Sequence, residues 1–106
     1  MAGNFTSSCR NMKLIDGHIL YAECRDLQGE WFQSTLDLDE HLGNDNGVFK
    51  WYDKNFSHSA EDIRLVDGGT IVAKLRRWSD QQWESSSVSL NNLITNNDGR
   101  LELGEF

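Results

Sequence analysis

The side chains best able to do chemistry in this chain are three histidines, two cysteines and several turns rich in Asn, Asp and Ser. His18, His41 and His58 are scattered, and none forms the His-x-x-x-His pair that would hold zinc from one helix face. His41 closes the acidic run Asp37-Leu-Asp-Glu-His41 and His58 follows Asn55-Phe-Ser, so both read as solvated polar residues. Asp37 and Asp39 imitate a catalytic carboxylate pair, but at a strand-to-helix turn N-capping is the expected role. There is no nucleophile elbow, no phosphate-binding glycine loop and no reactive Cys–His context. The turn Asn96-Asn97-Asp98-Gly99 invites comparison with a calcium loop, with Glu105 as its last ligand. Its first position would then be Ile94 where an Asp is needed, and no long helices flank it. The expectation is a protein with no metal, no cofactor and no enzymatic activity.

Cys9 and Cys24 are the only cysteines. Two cysteines do not make a structural zinc site. Their partners in an internal repeat, described next, are Ala60 and Leu75, both apolar. Both cysteines are therefore expected in the core and near each other. A disulfide between them is the favoured reading and would stabilise by ~3 kcal/mol on the chain-entropy model. The alternative is two reduced thiols packed as small apolar groups.

The chain repeats itself once. Phe5-Thr-Ser-Ser-Cys9 matches Phe56-Ser-His-Ser-Ala60, and Lys13-Leu-Ile-Asp-Gly17 matches Arg64-Leu-Val-Asp-Gly68. Tyr21-Ala-Glu-Cys-Arg25 matches Val72-Ala-Lys-Leu-Arg76. One extra residue then enters within 77–82, after which Trp31 matches Trp83, Leu38 matches Leu90, and Asn44-Asp-Asn-Gly47 matches Asn96-Asn-Asp-Gly99. Two copies are too few for a solenoid, so a single pseudo-twofold domain is expected. In each copy the pattern reads as strands. Over residues 18–25, Leu20, Ala22 and Cys24 share one face, and Ile19, Tyr21 and Glu23 the other. Asp16-Gly17, Asp67-Gly68, Asn46-Gly47 and Asp98-Gly99 are dipeptides that tolerate the positive φ of two-residue hairpins, and Gln28-Gly29 marks a further turn. Only residues 38–42 and 90–94 look helical, for about one turn each. These elements amount to a mostly β fold of two three-stranded sheets and two hairpins.

With 106 residues the chain can close one core. Four Trp and five Phe make it too apolar to be disordered. The net charge of −7 repels phosphate backbones and anionic headgroups, so neither nucleic acid nor membrane is an expected partner. The short basic run Arg76-Arg77 reads as a solvated edge. No apolar stretch approaches the ~20 residues that span a bilayer. The sequence MAGNFTSSCRN lacks the apolar core of a signal peptide, which favours a cytoplasmic or non-classically exported protein.

On these residues the sequence resembles the cyanovirin-N homologue family. The match rests on the duplicated Asn-Phe-Thr/Ser start of each copy, the pair Cys9 and Cys24, the turn-rich strands, and the Leu-x-x-x-Leu-x-Asn-x-x-Gly hairpin lead. It rests also on Gly47-Val-Phe-Lys-Trp51 followed by Asn55-Phe56-Ser57. The second copy lacks the cysteine pair of the family's founding member, and Ala60 and Leu75 fill that space. The resemblance implies an intertwined fold in which the hairpin of one copy caps the strands of the other. Lobe A would comprise about residues 1–41 with 93–106, and lobe B about 42–92. It also implies a lectin with one sugar pocket per lobe, favouring α(1→2)-linked mannose of high-mannose glycans.

Carried over residue by residue, the resemblance puts Asn4, Ser7, Ser8, Arg25, Asp26, Leu27, Asn96, Asn97 and Asp98 at the pocket of lobe A. In lobe B it puts Gly43, Asn44, Asp45, Asn46, Asn55, His58, Ser59, Arg76, Arg77 and Trp78. Family pockets carry acidic residues where this chain has Arg25 and Gly43. Short Ser, Asn and Asp side chains can meet vicinal hydroxyls, which both donate and accept, without losing much rotamer entropy. The same residues are also what β-turns ordinarily contain. Pocket A is expected to bind more tightly than pocket B, because Asp98 offers a carboxylate where pocket B has Asn46.

The competing reading is a non-catalytic protein-interaction or structural domain that kept the fold and lost its pockets. The hinge Trp51-Tyr-Asp-Lys-Asn55 has no proline to strain it, so a monomer is expected, with a domain-swapped dimer as the alternative. Asn4-Phe-Thr6 and Asn55-Phe-Ser57 are N-glycosylation acceptors. Glycans on them would crowd the implied pockets, so the protein is expected to function without entering the glycosylating pathway.

Overall fold

Alternating burial in two triplets of strands organises the molecule. The structure, a computed structural model, describes residues 4–104. The turn position assigned above to Glu105 and the first three residues therefore lie outside the described residues. Strands β1 (Cys9–Ile15), β2 (Ile19–Arg25) and β3 (Trp31–Asp37) form one antiparallel sheet in the order β1-β2-β3. Strands β6 (Ala60–Val66), β7 (Thr70–Arg76) and β8 (Trp83–Ser89) repeat it as β6-β7-β8. Two hairpins complete the fold: β4 (Leu42–Asp45) with β5 (Val48–Trp51), and β9 (Ile94–Asn97) with β10 (Arg100–Leu103). Each hairpin crosses to the other copy's sheet. Strand β10 packs on β3, and β5 packs on β8. The fold is thus the mostly β, intertwined, pseudo-twofold architecture expected. Among the described residues no helix is long and apolar enough to cross a membrane.

The core follows the period-two pattern. Leu20, Ala22 and Cys24 on β2 are fully buried, and Ile71, Ala73 and Leu75 match them on β7. The hairpin strands add Leu42, Ile94 and Leu101, and among the described residues four short 3₁₀ turns add Phe5, Leu38, Phe56 and Leu90, at Phe5–Ser7, Leu38–Glu40, Phe56–Ser59 and Leu90–Asn92. The second and fourth fall where one helical turn was expected. The first and third do not show in the sequence, yet each buries its phenylalanine completely. Burial of such a ring contributes about 1.5–3 kcal/mol.

Turn chemistry is met in detail. Asn46-Gly47 and Asp98-Gly99 make two-residue hairpins, with φ of 52° and 93°, and of 52° and 95°. The other two turns depart from the expected length. Ile15 pairs with Ile19 and Val66 with Thr70, so each loop has three residues, Asp16-Gly17-His18 and Asp67-Gly68-Gly69. The sequence also gives no sign of the bulges in β1 and β6, where Asn11 (φ 54°) and Asp62 (φ 53°) interrupt the register.

Cys9 and Cys24 face each other across β1 and β2 and both are buried, as the repeat implied; the structure holds them as thiols, and a labelling experiment decides between thiols and the expected disulfide. Burial pushes both thiols above their ordinary range, which keeps them in the unreactive protonated form. Iodoacetamide should therefore leave both cysteines unmodified in the native protein. Without any reductant it should label both once the chain is unfolded in denaturant. Failure to label the unfolded chain would show the disulfide instead.

The two copies are clasped by matching polar contacts. In one clasp the Thr6 amide donates to Asn91 Oδ1 (3.2 Å) and Asn91 Nδ2 donates to Thr6 Oγ1 (2.7 Å). In the other, the Ser57 amide donates to Asp39 Oδ1 (3.0 Å) and the Ser57 hydroxyl donates to Asp39 Oδ2. The acidic clasp is ringed by imidazoles: His18 Nδ1 lies 3.6 Å and His58 Nε2 3.9 Å from Asp39 Oδ2. His18 Nδ1 also meets Asp37 Oδ1 at 2.7 Å. That hydrogen bond lifts His18 above its ordinary 6.5. Burial would raise Asp37, but the bond to His18 and the Asp39 amide hold it below its ordinary 3.8. A raised histidine stabilises fully below 6.5 and loses its effect as pH rises through the folded-state value; a lowered carboxylate stabilises above 3.8 and loses its effect as pH falls. The pair should therefore stabilise most between these limits. His18→Gln should flatten the decline in Tm between about pH 6 and 8. An unchanged slope would exclude this pair as its cause.

Candidate functional site

Where β2 ends and the β9–β10 hairpin arrives from the other copy, one asparagine organises the backbone. Asn96 Nδ2 donates to Ser8 Oγ (2.9 Å) and to the Arg25 carbonyl (2.8 Å), while Asn96 Oδ1 accepts from the Gly99 amide (2.8 Å). The carboxylate of Asp98 takes the Leu27 amide at 2.9 Å, which pins the loop after β2 to the hairpin. Asp26 Oδ1 caps its own turn by accepting from the amides of Gln28 (2.9 Å) and Glu30 (2.8 Å). The result is site A, a cleft of about 390 Å³ lined by Ser8, Arg25, Asp26, Leu27, Gly29, Asn96 and Asp98. Six of these seven residues were singled out in the sequence. Gly29 was not, although its dipeptide with Gln28 marked the turn.

Three expected residues of this set sit elsewhere. Asn4 adopts φ 62° ahead of its 3₁₀ turn, and its amide donates to the Asn91 carbonyl (2.8 Å). Ser7 turns its hydroxyl back to the Asn4 carbonyl (2.8 Å). Asn97 donates to Glu102 (3.1 Å) and lines a neighbouring cleft. Arg25 contributes its backbone carbonyl, while its guanidinium lies 5.7 Å from the Trp31 ring, which Arg10 covers at 3.9 Å.

Site B repeats the scaffold and changes the chemistry. Asn44 Nδ2 donates to Ser59 Oγ (2.8 Å) and to the Arg76 carbonyl (2.8 Å), and Asn44 Oδ1 accepts from Gly47 (2.7 Å). Asn46 Oδ1 accepts from Ser79 (3.1 Å), replacing the Asp98 contact with a neutral one. Arg77 stands where site A has Asp26. Its side chain lies across Gly47 and pairs with Asp80 (2.6 Å) and Glu84 (3.4 Å). The basic run is thus an ion-paired rim on one side, not a freely solvated edge. Trp78 is exposed, as Leu27 is in site A, and Asp45 ends β4. Gly43 backs onto Asp53, whose Oδ2 would lie 2.2 Å from an added Cβ. Asn55 (φ 65°) and His58 belong to the 3₁₀ turn beside Asp39.

Among the described residues one group of three could supply ligand atoms to a metal within 4.8 Å of one another: His18, Asp37 and Asp39. Their atoms are already engaged. Asp37 caps the 3₁₀ turn through the Asp39 amide (3.0 Å), as expected for this position, and Asp39 holds Ser57.

Taken together, a small β domain built of two exchanged halves presents a polar cleft of Ser, Asn and Asp side chains and turn amides, the donor and acceptor set that suits vicinal hydroxyls. The family model for the CVNH domain matches residues 5–106. The chain belongs to the cyanovirin-N homologue family, a lectin fold. It is 42% identical over 100 residues to a cyanovirin-N homologue of Tuber borchii, covering 92% of this chain and 96% of that one. A MoCVNH3 variant solved in complex with (N-GlcNAc)4 superposes with a TM-score of 0.89 at 29% identity, covering 96% and 97% of the two chains. Microvirin, solved in complex with mannobiose, superposes with a TM-score of 0.82 at 34% identity, covering 98% and 100%.

Proposed function

We propose that this protein is a non-enzymatic lectin that binds α(1→2)-linked mannose, as found in high-mannose glycans, chiefly in site A. The observation that carries the reading is the cleft held open between Asn96, Ser8 and Asp98. Asp98 Oδ1 takes the Leu27 amide, and among the described residues no protein group donates to Oδ2, which leaves it for sugar hydroxyls. A hydrogen bond to a charged acceptor contributes about 1.5–3 kcal/mol, against roughly 1 for a neutral one. Site B has an amide at that position and a salt-bridged arginine beside it, so it is the weaker site.

A glycan array tests the reading. Mannose-terminated α(1→2) glycans should give the strongest signals. A relative is described with (N-GlcNAc)4, so the array includes GlcNAc oligomers; binding there instead would move the specificity to that sugar. No binding to any glycan would favour the protein-interaction reading.

A further inference from the structure

Behind site A lies a second cleft of about 570 Å³, lined by Asp26, Phe32, Gln33, Asn97, Asp98, Gly99 and Arg100. The two clefts share Asp26 and Asp98, so these carboxylates form a common wall between them. Phe32 is half exposed at the floor, on an edge strand where an apolar ring gains little from facing water. Gly99 permits the arrangement. Its φ is 95°, and a Cβ there would lie 3.0 Å from the Phe32 ring.

The other copy provides an internal comparison. Where site A has Asp26 and Phe32, site B has Arg77 and Glu84, which pair with each other at 3.4 Å beside Gly47. One copy therefore fills this position with a salt bridge. The other leaves an aromatic face beside two carboxylates, each with one oxygen engaged by backbone amides. A sugar ring matches that pairing, with an apolar C–H face for the aromatic ring and edge hydroxyls for the acceptors.

The geometry points to a second sugar subsite at Phe32, contiguous with site A, so that one oligosaccharide chain crosses the Asp26–Asp98 wall and its third ring stacks on Phe32. This inference rests on site A being the mannose site. The corresponding experiment is titration of wild type and Phe32→Ala with α(1→2)-mannobiose and with linear α(1→2)-mannotriose, followed by calorimetry and by amide shifts. Wild type should bind the trisaccharide about tenfold more tightly than the disaccharide. Phe32→Ala should erase that gain and leave disaccharide affinity unchanged, and shifts at Phe32, Gln33 and Arg100 should appear with the trisaccharide only. Equal wild-type affinity for the two sugars would overturn the subsite while leaving site A intact, as would equal weakening of both by Phe32→Ala. Absence of binding by either sugar would overturn site A and the subsite with it. Phe32 is exposed, so an unperturbed amide spectrum of the variant is expected and checks its fold.

Discussion

The double substitution Asp98→Ala with Ser8→Ala is expected to remove most α(1→2)-mannobiose binding, a loss on the order of 100-fold by calorimetry. The matching pair in the other copy, Asn46→Ala with Ser59→Ala, should leave most of it. Asp98 acts in two ways. It offers a charged acceptor to the ligand, and through the Leu27 amide it holds the loop that forms one wall of the cleft. Ser8 Oγ accepts from Asn96 Nδ2 at the cleft wall, so its hydroxyl is held in place beside Asp98. In site B the same scaffold presents an amide at the turn and Arg77 tied to Asp80 and Glu84, so the loss there removes less. The reverse pattern would move the principal site to the second copy.

The largest effect on stability is expected from Phe56→Ala. Phe56 is fully buried, and its ring stands 5.5 Å from Phe49, which belongs to the hairpin crossing to the second sheet. Truncating such a ring costs about 3–5 kcal/mol, because the packed surroundings cannot collapse into the space. For a domain of this size each kcal/mol lowers Tm by roughly 4–8 °C, so a fall of ~15 °C or more is expected in a calorimetric scan. Phe5→Ala should match it, since Phe5 holds the equivalent place and is equally buried. Phe32→Ala, at an exposed ring, should move Tm little. Comparable losses at Phe56 and Phe32 would contradict the assigned core.

Much of this architecture is legible in the residues themselves. The duplication locates the central strand of each sheet, because the paired copies Leu20-Ala22-Cys24 and Ile71-Ala73-Leu75 carry the same alternation. Asn-Gly and Asp-Gly locate the turns, since few other pairs tolerate two positive φ values. What stays hidden is set by contacts distant in sequence. Asn4 and Ser7 are small polar residues near the right turn, yet the 3₁₀ turn around buried Phe5 ties the Asn4 amide to the Asn91 carbonyl and turns the Ser7 hydroxyl back onto the Asn4 carbonyl. Gly43 reads as a pocket residue by position, but strand β4 directs it at Asp53. Phe32 follows a tryptophan in a strand, and no periodicity tells that both rings remain partly exposed on an edge. The cysteines show the limit most plainly. Their apolar counterparts predict proximity and burial, both present, whereas the state of the sulfur atoms does not follow from either.

The central claim is that site A binds mannose, and amide-resolved NMR titration of the wild-type protein with α(1→2)-mannobiose tests it most directly. The account predicts saturable shifts concentrated at Leu27, Gly29, Asn96 and Gly99, with smaller changes at Asn44, Gly47 and Ser79. Shifts confined to the second group, or no saturable shifts at millimolar sugar, would contradict it.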